Sequence, residues 1–249
     1  MSDFNRGMSR PVPAAAPDMA LDAGLRAFML GVYNKVALGL ILSAALAYVT
    51  GNVPAVSNLL WQNTGFGRRS FTLLGMVIAF APIGILLFQG FARRQSPKSA
   101  NVTYWVIVSL IGASLGSVFM FYAGVDVFQT FLITAAAFGG LSLYGYVTKR
   151  DLSAMGSFLI MGVWGLVIAS LVSMFVHSPM LVMAINALGV LIFAGLIAAD
   201  TQRLKMTYYW VGGDQAAASV ATSYGALSLY LDFINLFRFL LFFMGGSRR

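Results

Sequence analysis

Residues 179–200 read PMLVMAINALGVLIFAGLIAAD, and residues 219–244 read SVATSYGALSLYLDFINLFRFLLFFM. The first is an uncharged run that ends on Asp200; the second carries Asp232 near its middle and Arg238 beyond it. About 20 apolar residues are what a helix needs to cross a hydrocarbon core of about 30 Å. Lipid offers the backbone no hydrogen-bond partner, so such runs must be helices. An ionisable group inside that core costs about 2.5–3.5 kcal/mol on insertion scales. A lipid-facing helix would rarely keep both Asp232 and Arg238, so the 219–244 helix is expected inside a bundle, wrapped by the others.

Working outward, residues 28–50 form a similar run interrupted only by Lys35, and residues 71–91, 102–123, 127–148 and 152–176 contain no charge. The segments are continuously apolar rather than alternating, which disfavours a closed barrel. The expectation is an all-α membrane protein with seven transmembrane helices, the last one central, occupying residues 28–246. Composition agrees. Of 249 residues, 59% are hydrophobic and 10% charged, against about 45–50% and about 25% in soluble domains. That excludes a cytosolic enzyme, a nucleic-acid module and a disordered chain. Residues 1–27, with Pro11, Pro13 and Pro17, read as a flexible cytoplasmic tail. The first apolar run starts late for a secretory signal, although Ala45-Leu46-Ala47 mimics a cleavage site.

The basic residues set orientation. With the N-terminus in the cytoplasm and seven crossings, inside segments hold Arg6, Arg10, Arg26, Arg93, Arg94, Lys98, Lys149, Arg150, Arg203 and Lys205, and outside segments hold Arg68, Arg69, Arg248 and Arg249. Ten against four favours N-inside. A re-entrant seventh run would instead return the C-terminus to the cytoplasm. The net charge of +8 is read as topology determinants and lipid-headgroup contacts rather than as a nucleic-acid surface. Gly112 and Gly116 form a small-xxx-small pair for close helix packing. Leu-Ser-Leu-Tyr at 141–144 recurs at 227–230 and is read as coincidence.

There is no cysteine and no glutamate, and His177 is the only histidine. Thiolate chemistry, disulfides and multi-histidine metal sites are therefore excluded. Asp200 and Asp232 are the only acids in or against the apolar zone. Asp200 is placed at a helix C-terminus, where the macrodipole disfavours an anion and something must compensate. Asp232 shares a face with Tyr224, Ser228 and Asn235, and Asn186 lies on about the same face of the sixth helix as Asp200. Asn186, Ser228 and Asn235 thus mark a polar seam between the last two helices. Spacing leaves several roles open. Asp200 can simply pair with Arg203 at i,i+3, and Asp232 can be a structural hydrogen-bonding group. If the two carboxyls meet, they cannot both ionise cheaply and form a pH-sensitive element. Ionised, they make a hard oxygen site for Ca²⁺ or another cation. Arg93 and Arg94, ending the second helix, are candidates for a latch onto Asp200, or ordinary positive-inside anchors.

Enzyme readings fare worse. Asp232 sits in Tyr-Leu-Asp, not the Gly-x-Gly-Asp of intramembrane aspartyl proteases, and His177 stands in a loop by Pro179 with no serine partner on a helix. No nucleophile–base set is present.

The stretch Ala-Leu-Ser-Leu-Tyr-Leu-Asp-Phe-Ile-Asn-Leu-Phe at 226–237 resembles the C-terminal signature of the Bax inhibitor-1 family, in its bacterial branch. Asp-Thr-Gln-Arg at 200–203 resembles that family's other aspartate motif, and Val-Tyr-Asn-Lys-Val-Ala-Leu-Gly-Leu at 32–40 its first helix. The likeness covers about residues 25–245. It implies seven helices around a central last one, a di-aspartate pH sensor (here Asp200 with Asp232) and a slow Ca²⁺ leak. It also implies an arginine latch at the end of the second helix, for which Arg93 matches best and Arg94 nearly as well. Ala199 departs from the aromatic often found before the first aspartate, and no acid stands near Pro82 or Ile83 where some relatives carry one. The resulting expectation is a pH-sensitive cation leak channel of a bacterial inner membrane, with the lipid bilayer and calcium ions or protons as partners. The rival is a non-conducting regulator that binds a membrane protease or stress-response partner.

Overall fold

The computed structural model describes residues 23–64, 68–90, 96–211 and 213–245. Helices dominate: α1 (Ala23–Asn52), α2 (Pro54–Leu60), α3 (Leu73–Gly90), α4 (Pro97–Ser114), α5 (Val118–Phe121), α6 (Gly124–Val147), α7 (Ser153–Ser173), α8 (Pro179–Val211) and α9 (Gln215–Met244). One 3₁₀ turn, Leu115–Ser117, joins α4 to α5. Among the described residues, six spans are long and apolar enough to cross a membrane: α1, Pro97–Phe121, α6, α7, α8 and α9. The remaining expected crossing, the second at 71–91, corresponds to the shorter α3.

Several boundaries differ from the sequence reading. The first helix begins at Ala23, inside the stretch expected to be tail; residues 1–22 lie outside the described residues. The loop before α3 contains a two-stranded antiparallel hairpin, β1 (Trp61–Thr64) and β2 (Arg68–Phe71), pairing Trp61 with Phe71 and Thr64 with Arg68. Trp61 anchors it, donating from Nε1 to the Thr50 carbonyl at 3.3 Å and packing on the Phe71 ring at 4.4 Å. The sixth apolar helix does not stop at Asp200 but runs on to Val211.

Chain breaks follow local chemistry. Pro97 opens α4 behind Ser96, whose hydroxyl accepts the Ser99 amide. Gly213 takes φ of +86° between α8 and α9, a conformation that favours glycine. Asp214 then caps α9 by accepting from the amides of Ala216 and Ala217 at 2.8 and 3.1 Å.

The buried core is divided. One cluster joins α1, α4 and α9 around Val32, Tyr104, Ile107, Leu229, Tyr230 and Phe233. A second joins α7, α8 and α9 around Leu166, Phe193, Ile197 and Leu236. α9 is the most buried span, with half of its apolar window covered, and α7 the least, at 6%. α9 packs on α1, α4, α6 and α8, whereas α3 leans on α4 and α7 on α8. α9 thus makes its main contacts with four of the six helices expected to wrap it. Gly112 and Gly116 do what small residues do in membranes. A Cβ on Gly112 would stand 2.6 Å from the Ser43 Cα, and one on Gly116 2.9 Å from the Gly51 nitrogen. They let α4 and its 3₁₀ extension lie directly against α1.

Candidate functional site

The extra eleven residues of α8 decide where the aspartates stand. α8 ends at Val211, α9 begins at Gln215, and the two pack antiparallel. Asp200 is eleven residues before Val211 and Ser228 thirteen after Gln215, so the two face each other at similar depth. Asp232 lies one turn further along the same face of α9. Had α8 ended at Asp200 and α9 begun at 219, the register would have separated them. Asp200 is thus mid-helix, and the argument from an unfavourable helix C-terminus falls.

Both carboxyls are buried, Asp200 at 7% and Asp232 at 6% exposure. Asp200 Oδ2 accepts from the Ser228 hydroxyl and from Arg203 Nη2, the latter at 3.1 Å. Arg203 Nη2 also reaches Ser228 Oγ at 3.3 Å. The Asp232 carboxyl lies within electrostatic range of Asp200 and of Arg203. Its Oδ2 is buried and has no hydrogen-bond partner among the described residues. Arg203 is over half exposed and closes the group at the solvent side.

Neighbouring polar groups steady α8. Ser142 of α6 is hydrogen-bonded to Thr201 at 3.3 Å, with Tyr33 of α1 beside both. The two Leu-Ser-Leu-Tyr stretches therefore present their serines to consecutive α8 residues, Ser142 to Thr201 and Ser228 to Asp200. Gly145 lets α6 approach: a Cβ there would come within 2.9 Å of the Ala198 backbone. Gln202 ties down the α6–α7 loop by accepting from the Leu152 amide and donating to the Arg150 carbonyl, both at 2.7 Å.

The other sequence candidates fall elsewhere. Asn186 and Asn235 donate to carbonyls of their own helices, Val182 and Leu231. Of the three seam residues, Ser228 alone hydrogen-bonds to Asp200. Arg93 and Arg94 lie outside the described residues. Among the described residues Arg203 makes the ion pair with Asp200, as its i,i+3 spacing allowed. Lys35 reaches Ser223 of α9 at 2.8 Å and lies over the Tyr104 ring; sequence gave no pointer to either partner. No group of three or more acidic, histidine or cysteine side chains stands together among the described residues. A cation at the pair would draw on two carboxyls and nearby hydroxyl oxygens.

A family model described as "Inhibitor of apoptosis-promoting Bax1" matches residues 25–249. A Caulobacter vibrioides protein is 63% identical over 249 residues, spanning all of both chains. A Rickettsia prowazekii protein is 42% identical over 242 residues, 96% of this chain and 98% of that one. The Escherichia coli K12 inner membrane protein YbhL is 39% identical over 229 residues, 91% of this chain and 94% of its own. With its long apolar helices, the chain belongs to the Bax inhibitor-1 family of integral membrane proteins.

Proposed function

We propose that the chain is a pH-sensitive cation leak channel, calcium foremost, with Asp200 and Asp232 as the gate. In this reading the protein sits in a bacterial inner membrane with its N-terminus in the cytoplasm, and α9 is the central helix of seven. The observation that carries it is the burial of two carboxyls within electrostatic range of each other, one of which leaves an oxygen unpartnered. An orphaned buried oxygen is an energetic liability unless a proton or a cation visits it. Two cavities support a path. One of about 790 Å³ reaches Asp200 and Arg203 from the α6–α7 loop. Another of about 410 Å³ lies towards the opposite end of α9, lined by Ser43, Phe131, Ile234 and Phe237. Tyr230 and Phe233, buried between them along α9, make this a closed arrangement.

The gating logic is electrostatic. Asp200 holds Arg203 and the hydroxyl of Ser228; a proton taken up by the carboxyl pair, whose members cannot both ionise cheaply, weakens that hold and loosens α8 from α9. Calcium flux into liposomes carrying the purified protein is expected to rise as pH falls from 8 to 5. Asp200→Asn or Asp232→Asn flattens that profile. Unchanged profiles in both variants, or no flux from the purified wild type, would overturn the reading.

A further inference from the structure

The cavity at the α6–α7 loop has an unusual wall for a cation path. Its lining holds four cations, Lys149, Arg150, Arg203 and Lys205, against two carboxylates, Asp151 and Asp200. Both carboxylates are already engaged, Asp151 by the Ser153 amide and Asp200 by Arg203 and Ser228. Lys149 and Arg150 are exposed, and their side chains have no partner among the described residues. Lys205 is buried at 8% exposure. Its ammonium donates to the Tyr146 carbonyl and lies 4.9 Å from the Tyr146 ring centroid, with no counter-anion among the described residues. A buried cation without an anion is costly, and an ammonium has three donors to satisfy.

The remaining wall is apolar. Leu152, Ile160 and Met206 contribute to it, and Ile160 and Met206 are both 45% exposed. α7, which forms one side, is the least buried span and turns Phe158, Met161 and Trp164 outward. A basic rim continuous with a lipid-facing apolar flank matches an amphiphile, not a small soluble anion. Basic pockets between membrane helices are suited to anionic headgroups.

We propose that this cavity seats the phosphate of an anionic phospholipid, held by Lys149, Arg150 and Lys205, with an acyl chain running along α7. The site shares its cavity with the proposed cation path, and its test reads lipid binding rather than ion flux.

The full-length chain in detergent is titrated with phosphatidylglycerol, with phosphatidylcholine of the same acyl chains, and with inorganic phosphate. Binding is read by native mass spectrometry and by thermal unfolding. Phosphatidylglycerol is expected to bind and raise the unfolding temperature, while the other two at equal concentration do not. The double substitution Lys149→Ser with Arg150→Ser weakens phosphatidylglycerol binding roughly tenfold, the effect of losing about one charge-assisted hydrogen bond. Lys205→Met weakens it similarly. Because Lys149 and Arg150 are exposed, the double variant unfolds at the wild-type temperature without lipid. Equal binding of the two lipids overturns the proposal, as does wild-type affinity in the double variant. Inorganic phosphate binding as tightly as phosphatidylglycerol also overturns it, by making the site one for a soluble anion.

Discussion

Ser228 and Arg203 converge on a single oxygen of Asp200, so removing either donor leaves the other to hold the carboxylate alone. Arg203 is the more exposed of the two, and an exposed ion pair contributes at most about 1 kcal/mol. The hydroxyl, reaching a buried charged group, is the stronger clasp. Ser228→Ala is therefore expected to raise neutral-pH calcium flux in liposomes roughly tenfold, the scale of a hydrogen bond to a charged group. Asn235→Leu is the matched control. Its amide serves its own helix, so flux stays within about twofold, the usual range for a peripheral substitution. Equal effects of the two would sink the assignment of Ser228 to the gate. The aspartates were legible in the sequence because acids are so costly in an apolar run. The asparagines turn to their own helices because a side-chain amide is as readily satisfied by the carbonyl one turn back as by a neighbouring helix. No rule of spacing distinguishes the two.

Among the elements, the apolar runs announced their helices, but their ends were less visible. Thr-Gln-Arg-Leu-Lys after Asp200 reads as a charged loop, yet Ile197, Thr201, Leu204 and Lys205 are all buried and keep one helical face inward. That periodicity was the available signal for the extension of α8. The start of α7 has its own polar device. Asp151 accepts the Ser153 amide at 2.8 Å beside the positive end of the helix. Hydrogen bonds from the Ser153 side chain and then its backbone hold the Asp151 carboxyl below the usual carboxylate range. A carboxyl held low in the folded protein stabilises it above its unfolded value, near pH 4, and loses that contribution as pH falls through the folded value. Asp151→Ala should therefore lower the unfolding temperature at pH 7, with the difference narrowing towards pH 3. Between pH 5 and 8 the cap is fully ionised, so the substitution leaves the shape of the flux profile unchanged. A difference that widened on acidification would contradict this account of the cap.

At the scale of the whole molecule, the number of crossings turns on α3. Its 18 residues span about 27 Å at 1.5 Å per residue, just under a hydrocarbon core of about 30 Å. Leu73, Phe80 and Phe88 are 80%, 65% and 77% exposed, a surface that only lipid would cover favourably on an integral membrane protein. The same helix carries Pro82 without a charged residue along its length, which membrane helices tolerate better than soluble ones. α3 is therefore expected to cross, placing the β-hairpin and the start of α4 on opposite faces. The chain has no cysteine, so single introduced thiols report without background. Gln62→Cys in the hairpin and Ser99→Cys at the first turn of α4 are exposed positions. In sealed cells or oriented vesicles, a membrane-impermeant maleimide should label one from outside and leave the other until the membrane is permeabilised. With the N-terminus inside, Gln62→Cys is the one labelled first. Labelling of both from one side would reduce the molecule to six crossings and bring its two ends to the same face, which would also reverse the side from which every site on α8 and α9 is reached.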